Sequence, residues 1–326
     1  MSAPDAPDPP NAHQAPSGNS GELRIIRPGP ARLMDAIERL LRSDRRRAER
    51  FMRFARDSRM SLEHIWCAID SKQRIRSTVL ASPSPGRTAL MFVSSPKSAL
   101  EAREIGAVVD TACRGLREAD VGLAQALVEP TDHLENDAFL HGGLTKLSTL
   151  TYMERPVPNR RASFNTTMPD GVDIKPFSLS ERAELEELLV ETYQDTLDCP
   201  GLAGLRRPED VVDGHMSAGI FKPEWWTILR KGKRPIGVSL LNGSAGSGSI
   251  ELVYLGIVPE ARGQRIGQSL LNHSLQLVAG SRERKIVLAV DEANTPAQEI
   301  YEKTGFIRTV RRTAFVRPLD QERSSG

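Results

Sequence analysis

Followed as apolar and polar positions, the chain lays out one series of elements twice. In the first half, short apolar runs at Ile65–Ile69, Thr78–Ala81 and Arg87–Ser94 have the length and β-branched content of strands. An amphipathic stretch at Ser98–Arg117 predicts a helix; a strand at Leu123–Glu129, a helix at Asp132–Leu140 and a strand at Leu144–Glu154 follow. In the second half, Trp226–Arg230, Ile236–Asn242 and Ile250–Val258 predict strands, with turn formers at Lys231–Lys233 and Gly243–Gly248 between them. A helix at Gln268–Ala279, a strand at Ile286–Val290, a helix at Thr295–Lys303 and a strand at Phe306–Val316 complete it. Each half opens with helical segments, at Ala31–Leu41 and Arg45–Arg56 in the first and Leu179–Thr196 in the second.

Displacing the chain by 162 positions lays Glu129–Pro156 on Asp291–Pro318 without a gap. Val128 then meets Val290, Gly143 meets Gly305, Thr151 meets Thr313, and Arg155-Pro156 meets Arg317-Pro318. Identities are few, and the shared order of elements is the firmer sign of an internal repeat. The expected organisation is a disordered tail at 1–21, an α/β domain at 22–155, a linker at 156–166 around Pro156 and Pro158, a second α/β domain at 167–319, and a tail at 320–326.

Composition narrows the class only a little. Lys and Arg number 44 against 42 Asp and Glu, so the net charge of +2 carries no call for a polyanionic partner. The dense basic run Arg42–Arg59 is broken by Asp44, Glu49 and Asp57 and has Phe51, Phe54 and Ala55 for an apolar face, so it predicts a solvated helix, with nucleic-acid binding as the minor alternative. Cys67, Cys113 and Cys199 are odd in number and far apart, which points to a reducing cytoplasm as the setting. The six histidines lack metal-ligand spacing, no apolar run reaches the ~20 residues of a membrane span, and the Pro- and Ala-rich N-terminus lacks the apolar core of a signal peptide.

The chemistry concentrates in Glu251–Gly267, ELVYLGIVPEARGQRIG, ahead of an amphipathic helix. A strand running into a Gly-containing loop that opens a helix points several backbone N–H groups and the positive helix end at one spot, an anion site suited to a pyrophosphate. Gly263 and Gly267 allow close approach of a phosphate to the backbone. Arg262–Gly267 resembles the Gln/Arg-x-x-Gly-x-Gly/Ala signature of the GCN5-related N-acetyltransferases (GNAT), and Asn294-x-x-Ala297-x-x-x-Tyr301 resembles a second motif of that superfamily. The resemblance covers most of Phe164–Pro318 and implies two tandem GNAT-like domains, each a mixed, mostly antiparallel sheet flanked by helices, of the mycothiol synthase type. One position departs: Arg265 stands where the signature has Gly, and it either crowds the phosphates or adds a cation beside them.

By the same resemblance the donor is acetyl-CoA, with no metal, and the acceptor is a small-molecule or protein amine. The implied cofactor-binding residues are Ile257 and Val258 through their amides, the loop Arg262, Gly263, Gln264, Arg265, Ile266 and Gly267, and Asn294, Ala297 and Tyr301. Tyr301 is the expected acid for the departing thiolate and Glu251 the expected base. Tyr193, Asp198 and Tyr254 are expected to bind the acceptor. Strict alternation along the strand would turn Glu251 and Tyr254 to opposite faces, so that only one meets the acceptor. The repeat places Phe139 at the position of Tyr301, Asp132 at Asn294, Glu135 at Ala297 and Ala89 near Glu251, which marks the first half as a degenerate, non-catalytic copy. The resulting expectation is an acetyl-CoA-dependent N-acetyltransferase working by direct attack in the C-terminal half. The alternative is an acyl-CoA-binding sensor or scaffold that does no chemistry.

Overall fold

The computed structural model describes residues 23–57, 61–244, 246 and 248–320. Of the tails expected at 1–21 and 320–326 only Asp320 lies among them, and the last two residues of the basic run lie outside. The first half runs β1 (Arg24–Ile26), α1 (Leu33–Leu40), α2 (Arg45–Asp57), β2 (Ile65–Ile69), β3 (Ile75–Ser84), β4 (Thr88–Val93), α3 (Ala99–Glu118), β5 (Leu123–Val128), α4 (His133–His141) and β6 (Thr145–Pro156). The second half runs β7 (Val172–Pro176), α5 (Arg182–Thr192), α6 (Pro208–Ser217), β8 (Trp226–Lys231), β9 (Arg234–Gly243), β10 (Ser249–Ile257), α7 (Ile266–Leu277), β11 (Lys285–Asp291), α8 (Thr295–Lys303) and β12 (Ile307–Pro318).

Strand alternation sorts the core into layers. Ile65 and Cys67 pack under Ile37 and Leu40 of α1, whereas Trp66 and Ala68 face Ile105 and Val109 of α3. The second half repeats the scheme, with Leu240 against Leu188 and Val212 of α5 and α6 and Leu241 against Leu271 and Tyr301 of α7 and α8. The repeated glycines have a local cause: Gly143 (φ 78°) and Gly305 (φ 87°) follow α4 and α8 in the left-handed conformation that ends a helix without a Cβ penalty.

All strands join one twelve-stranded sheet in the order β1-β2-β3-β4-β5-β12-β6-β11-β10-β9-β8-β7. The last strand of each half therefore pairs into the other half: β12 lies antiparallel to β5, and β6 lies antiparallel to β11. The exchange follows the repeat residue for residue. Thr313 pairs with Val128 and its counterpart Thr151 with Val290; Pro318 pairs with Leu123 and Pro156 with Lys285. A second tie joins the halves behind the sheet. Arg87, in the β3–β4 turn, reaches both carboxylate oxygens of Asp320 at 2.8 Å and Asp210 of α6 at 3.5 Å.

Candidate active site

In the second half β10 and β11 pair in parallel only from Ser249–Lys285 to Glu251–Val287 and then part. The gap opens a cleft of about 860 Å³ walled by Tyr254–Ile257, the loop after β10, Ala289 and Val290, and the first turns of α8. The Val258 amide donates to the Ile236 carbonyl at 3.0 Å. Since an antiparallel ladder alternates its bonded sides, Ile257 turns its N–H away from β9, toward the gap. Of the two amides expected to meet the thioester arm, only that of Ile257 is placed for it; Val258 does not line the cleft.

The loop is tied down by Arg262. Its guanidinium donates to the carbonyls of Ile257 (3.0 Å), Asp195 (3.0 Å), Thr192 (3.0 Å) and Gln194 (2.8 Å), which joins the end of β10 to the C-terminus of α5. Three carbonyls at and beyond the C-terminus of α5, with that of Ile257 at the end of β10, attract a cation, and they occupy this one. Beyond it, Ser269 is the first residue of α7 whose N–H closes on a backbone carbonyl, Arg265 O at 3.2 Å. The amides of residues 265–268 thus lack helical acceptors, and no side chain caps them. A Cβ on Gly267 would meet only Ile257 Cγ1 at 3.9 Å, so this glycine answers no packing need of the chain and keeps the space above these amides clear. Arg265 is left-handed (φ 62°), the reason the signature prefers Gly, and its exposed side chain lines the cleft. Gln264 turns out of the cleft and donates to Glu260 O at 3.3 Å.

From α8, Asn294 is the N-cap: its Oδ1 accepts the Ala297 amide at 3.3 Å, which leaves its Nδ2 for the cleft. Tyr301 sits about two turns beyond this cap, buried edge-to-face on Phe306. Burial, with the Asp198 charge nearby, raises its pKa and keeps the phenol protonated.

A second cavity of about 570 Å³ adjoins the first and shares Thr196, Asp198 and Tyr254 with it. The three residues expected to bind the acceptor, Tyr193, Asp198 and Tyr254, all line it. The Tyr254 hydroxyl lies 2.9 Å from Thr192 Oγ1, its ring packs edge-on to Tyr193, and it stacks on His215. Gly256 permits this pose, because a Cβ there would lie 2.6 Å from the Tyr254 ring. Burial pushes His215 down to about 3, with Arg206 acting the same way, so the imidazole is neutral; burial pushes Tyr193 up to about 12. Asp198, at the junction of the cavities, accepts the Asp291 amide at 2.8 Å, and Asp291 in turn accepts the Cys199 amide at 3.0 Å. Burial raises the Asp198 carboxyl above the usual range, against the hydrogen bond from the Asp291 amide, which lowers it, and with the Asp291 charge, which raises it. The Cys199 thiol is pushed up to about 12 by burial and these two acids, so it remains protonated. Among the described residues no cluster of three or more His, Cys, Asp or Glu is arranged to hold a metal ion.

Residues 185–306 match the acetyltransferase (GNAT) family. A mycothiol acetyltransferase of Streptomyces bingchenggensis is 29% identical over 168 residues, which cover 50% of this chain and 53% of that protein. Over residues 185–306 the chain is similar to the GNAT family. The chain spans about half or less of the length of the curated relatives it matches. Among solved structures, a GCN5-related N-acetyltransferase from Sphaerobacter thermophilus superposes with a TM-score of 0.57 at 15% identity, covering 91% of this chain and 96% of that one. A tandem GNAT protein from the clavulanic acid biosynthesis pathway gives 0.51 at 13% identity, covering 91% and 99%. At that identity these two show a shared fold, the tandem GNAT architecture.

The GNAT site departs from the sequence reading at Glu251. A bulge between Leu252 and Tyr254 resets the alternation: Glu251 pairs with Asn242 and Tyr254 with Leu240, two positions of one parity on β9. Both side chains therefore belong to the face of α5 and α6, not to opposite faces. Glu251 nonetheless lines neither cavity. It is half-buried toward Tyr152 of the exchanged strand β6, and burial raises its pKa. Thr192, Arg206, His215 and the bracketing Asp291 were not among the expected site residues. Only Asp291, an acid closing a strand just ahead of the Asn294 motif, left a trace in the sequence.

Proposed function

We propose that the protein is an acetyl-CoA-dependent N-acetyltransferase whose single working site lies in the C-terminal half. The meeting of the two cavities at Asp198 and Tyr254 carries the reading: one opens on a free helix N-terminus, the other is a separate acceptor chamber. A sensor or scaffold has no use for the second chamber. The amides of residues 265–268 and the Arg265 cation are suited to the donor's pyrophosphate, and Asn294 Nδ2 to its amide-bearing arm.

In the reaction the neutral amine forms a C–N bond at the thioester carbon, negative charge gathers on the carbonyl oxygen, and the C–S bond breaks. The Ile257 N–H is suited to that oxygen. An alkylamine, with a pKa near ~10, must first lose a proton. Asp198, half-buried, with its pKa raised and lining both cavities, is suited to take it, whereas Glu251 is not in the cavity wall. Tyr301 holds its proton until the C–S bond breaks and then hands it to the leaving thiolate, and the second proton shed by the attacking nitrogen as it becomes an amide restores the phenol. In the first half, Ser98 and Glu101 close the N-terminus of α3 on itself, with the Glu101 carboxylate 2.9 Å from the Lys97 amide, so the place of the pyrophosphate is filled by the chain's own anion.

Calorimetric titration with acetyl-CoA tests this. One site per chain is expected, lost in Gly267→Trp, which fills the space above the α7 amides. Two sites would overturn the dead first half, and no binding would overturn the acetyltransferase reading.

A further inference from the structure

The acceptor chamber contains a cation without a counter-ion. Among the described residues, three partly buried arginines of this half are well matched: Arg230 by Glu181 and Glu184, Arg182 by Glu186 and Asp213, Arg262 by four carbonyls. Arg206 has no such match. Its Nη2 donates to the Asp210 carbonyl at 2.6 Å, while its Nε is buried with no hydrogen-bond partner. No carboxylate forms an ion pair with it; Asp210, the nearest acid of its own segment, is engaged by Arg87. A guanidinium withdrawn from water with unclaimed donors is costly unless something else fills them. The residue lines the chamber, where it is the single positive group among the described residues: His215 is held neutral, Asp198 is the acid, and the rest are apolar or uncharged polar, Gln194 and Cys199 among them.

We infer that the acceptor is an amphipathic primary amine bearing a carboxylate, its amine at Asp198, its apolar body against Leu189, Val211, Tyr193 and Tyr254, and its carboxylate on Arg206. This rests on the acetyltransferase reading and adds the substrate class to it. The two charged groups of the chamber are of opposite sign, and both lie near Tyr193, whose phenol feels each of them. A zwitterion is bound by complementary ends, whereas a simple alkylamine would leave the guanidinium unfilled. The wall behind Arg206 is rigid in a way that suits a positioning role. A Cβ on Gly214 would lie 2.5 Å from Arg206 Nη2 and one on Gly86 2.9 Å, so two glycines make room for the guanidinium.

The test compares 4-(aminomethyl)benzoate with benzylamine, which share amine and ring and differ only in the carboxylate. Each is titrated calorimetrically into the full chain, with and without saturating coenzyme A. The benzoate is expected to bind at least about tenfold more tightly, as a desolvated charge pair warrants. Arg206→Gln should bring the two affinities within about twofold of each other, while Arg206→Lys, which keeps a cation in the same fold, should retain part of the preference. Equal affinities in the wild type, a preference that survives Arg206→Gln, or no binding of either amine would overturn the inference. Coenzyme A binding without a carboxylate preference defeats this inference alone; loss of coenzyme A binding itself defeats the reading beneath it.

Discussion

Arg262 separates two accounts of the signature loop. The family resemblance makes it a phosphate contact, and the geometry makes it a strut. Arg262→Lys tests them, because an ammonium keeps the charge but can reach only one or two of four divergent carbonyls. The bonds to Ile257 O and Thr192 O are part-buried and those to Asp195 O and Gln194 O exposed. Charge-assisted bonds contribute about 1.5–3 kcal/mol when shielded and less in water. With one bond of each kind lost, destabilisation of about 2–3 kcal/mol is expected. For roughly 300 ordered residues the unfolding entropy is near 0.6 kcal/mol per degree, which converts this to about 3–5 °C in Tm. Calorimetric melting reads that shift, and titration with acetyl-CoA reads the other account. An unchanged Tm with a large loss of acetyl-CoA affinity would refute the strut and restore the phosphate contact.

Tyr301→Phe removes only the hydroxyl from a well-packed ring, so the Kd for acetyl-CoA should hold while kcat falls about 10²-fold or more; equal losses in both would make the residue a binding group. Arg265→Gly relieves a left-handed side chain and should raise stability by about 1 kcal/mol, yet weaken acetyl-CoA binding by removing a cation; unchanged affinity would show that the arginine stands clear of the phosphates. In the first half, burial and then the Asp132 charge push Glu135 up to about 7. The folded state binds this proton more tightly than the unfolded one, so its stabilising effect is present below the unfolded pKa and is lost as pH rises through about 7. Glu135→Gln should therefore stabilise the protein at pH 8 by about 1–2 kcal/mol, allowing for screening, with no gain at pH 4; parallel pH–stability curves would refute the assignment.

What could be read from the sequence follows from what local pattern encodes. Strands β2–β5 and β8–β12, helices α3, α4, α7 and α8, and the glycine closing each of α4 and α8 all express periodicity or backbone need, and they fell within a few residues of their places. The edge strands β1 and β7, of three and five residues, are too short to carry a period. Helix α6 opens with Pro208-Glu-Asp, which reads equally as a loop. The bulge in β10 has no Gly or Pro to announce it, so alternation was carried through it and Glu251 was set on the wrong face relative to Tyr254. Arg206 and Asp198 reach the second cavity from a segment bent by left-handed Asp195 and Cys199, a conformation that Asp hints at only weakly and Cys not at all.

The strand exchange was invisible for a deeper reason. A repeat gives both final strands the same pattern, so either satisfies either sheet, and local sequence cannot choose between them. The choice gives the first half work to do even though its own helix N-terminus is closed. β6 supplies the neighbour of β11, the strand that walls the cleft and ends in Asp291, which holds the loop of Asp198. The β3–β4 turn meanwhile abuts α6 so closely that a Cβ on Gly86 would lie 2.2 Å from the Asp210 carbonyl, the same carbonyl that anchors Arg206. Arg87 of that turn holds the Asp210 carboxylate away from Arg206 and clamps the chain end after β12. The first half, whose α3 N-terminus is closed by its own Ser98 and Glu101, thus fixes one wall of the cleft and the place of Arg206 in the second cavity, which constrains its turn and its last strand.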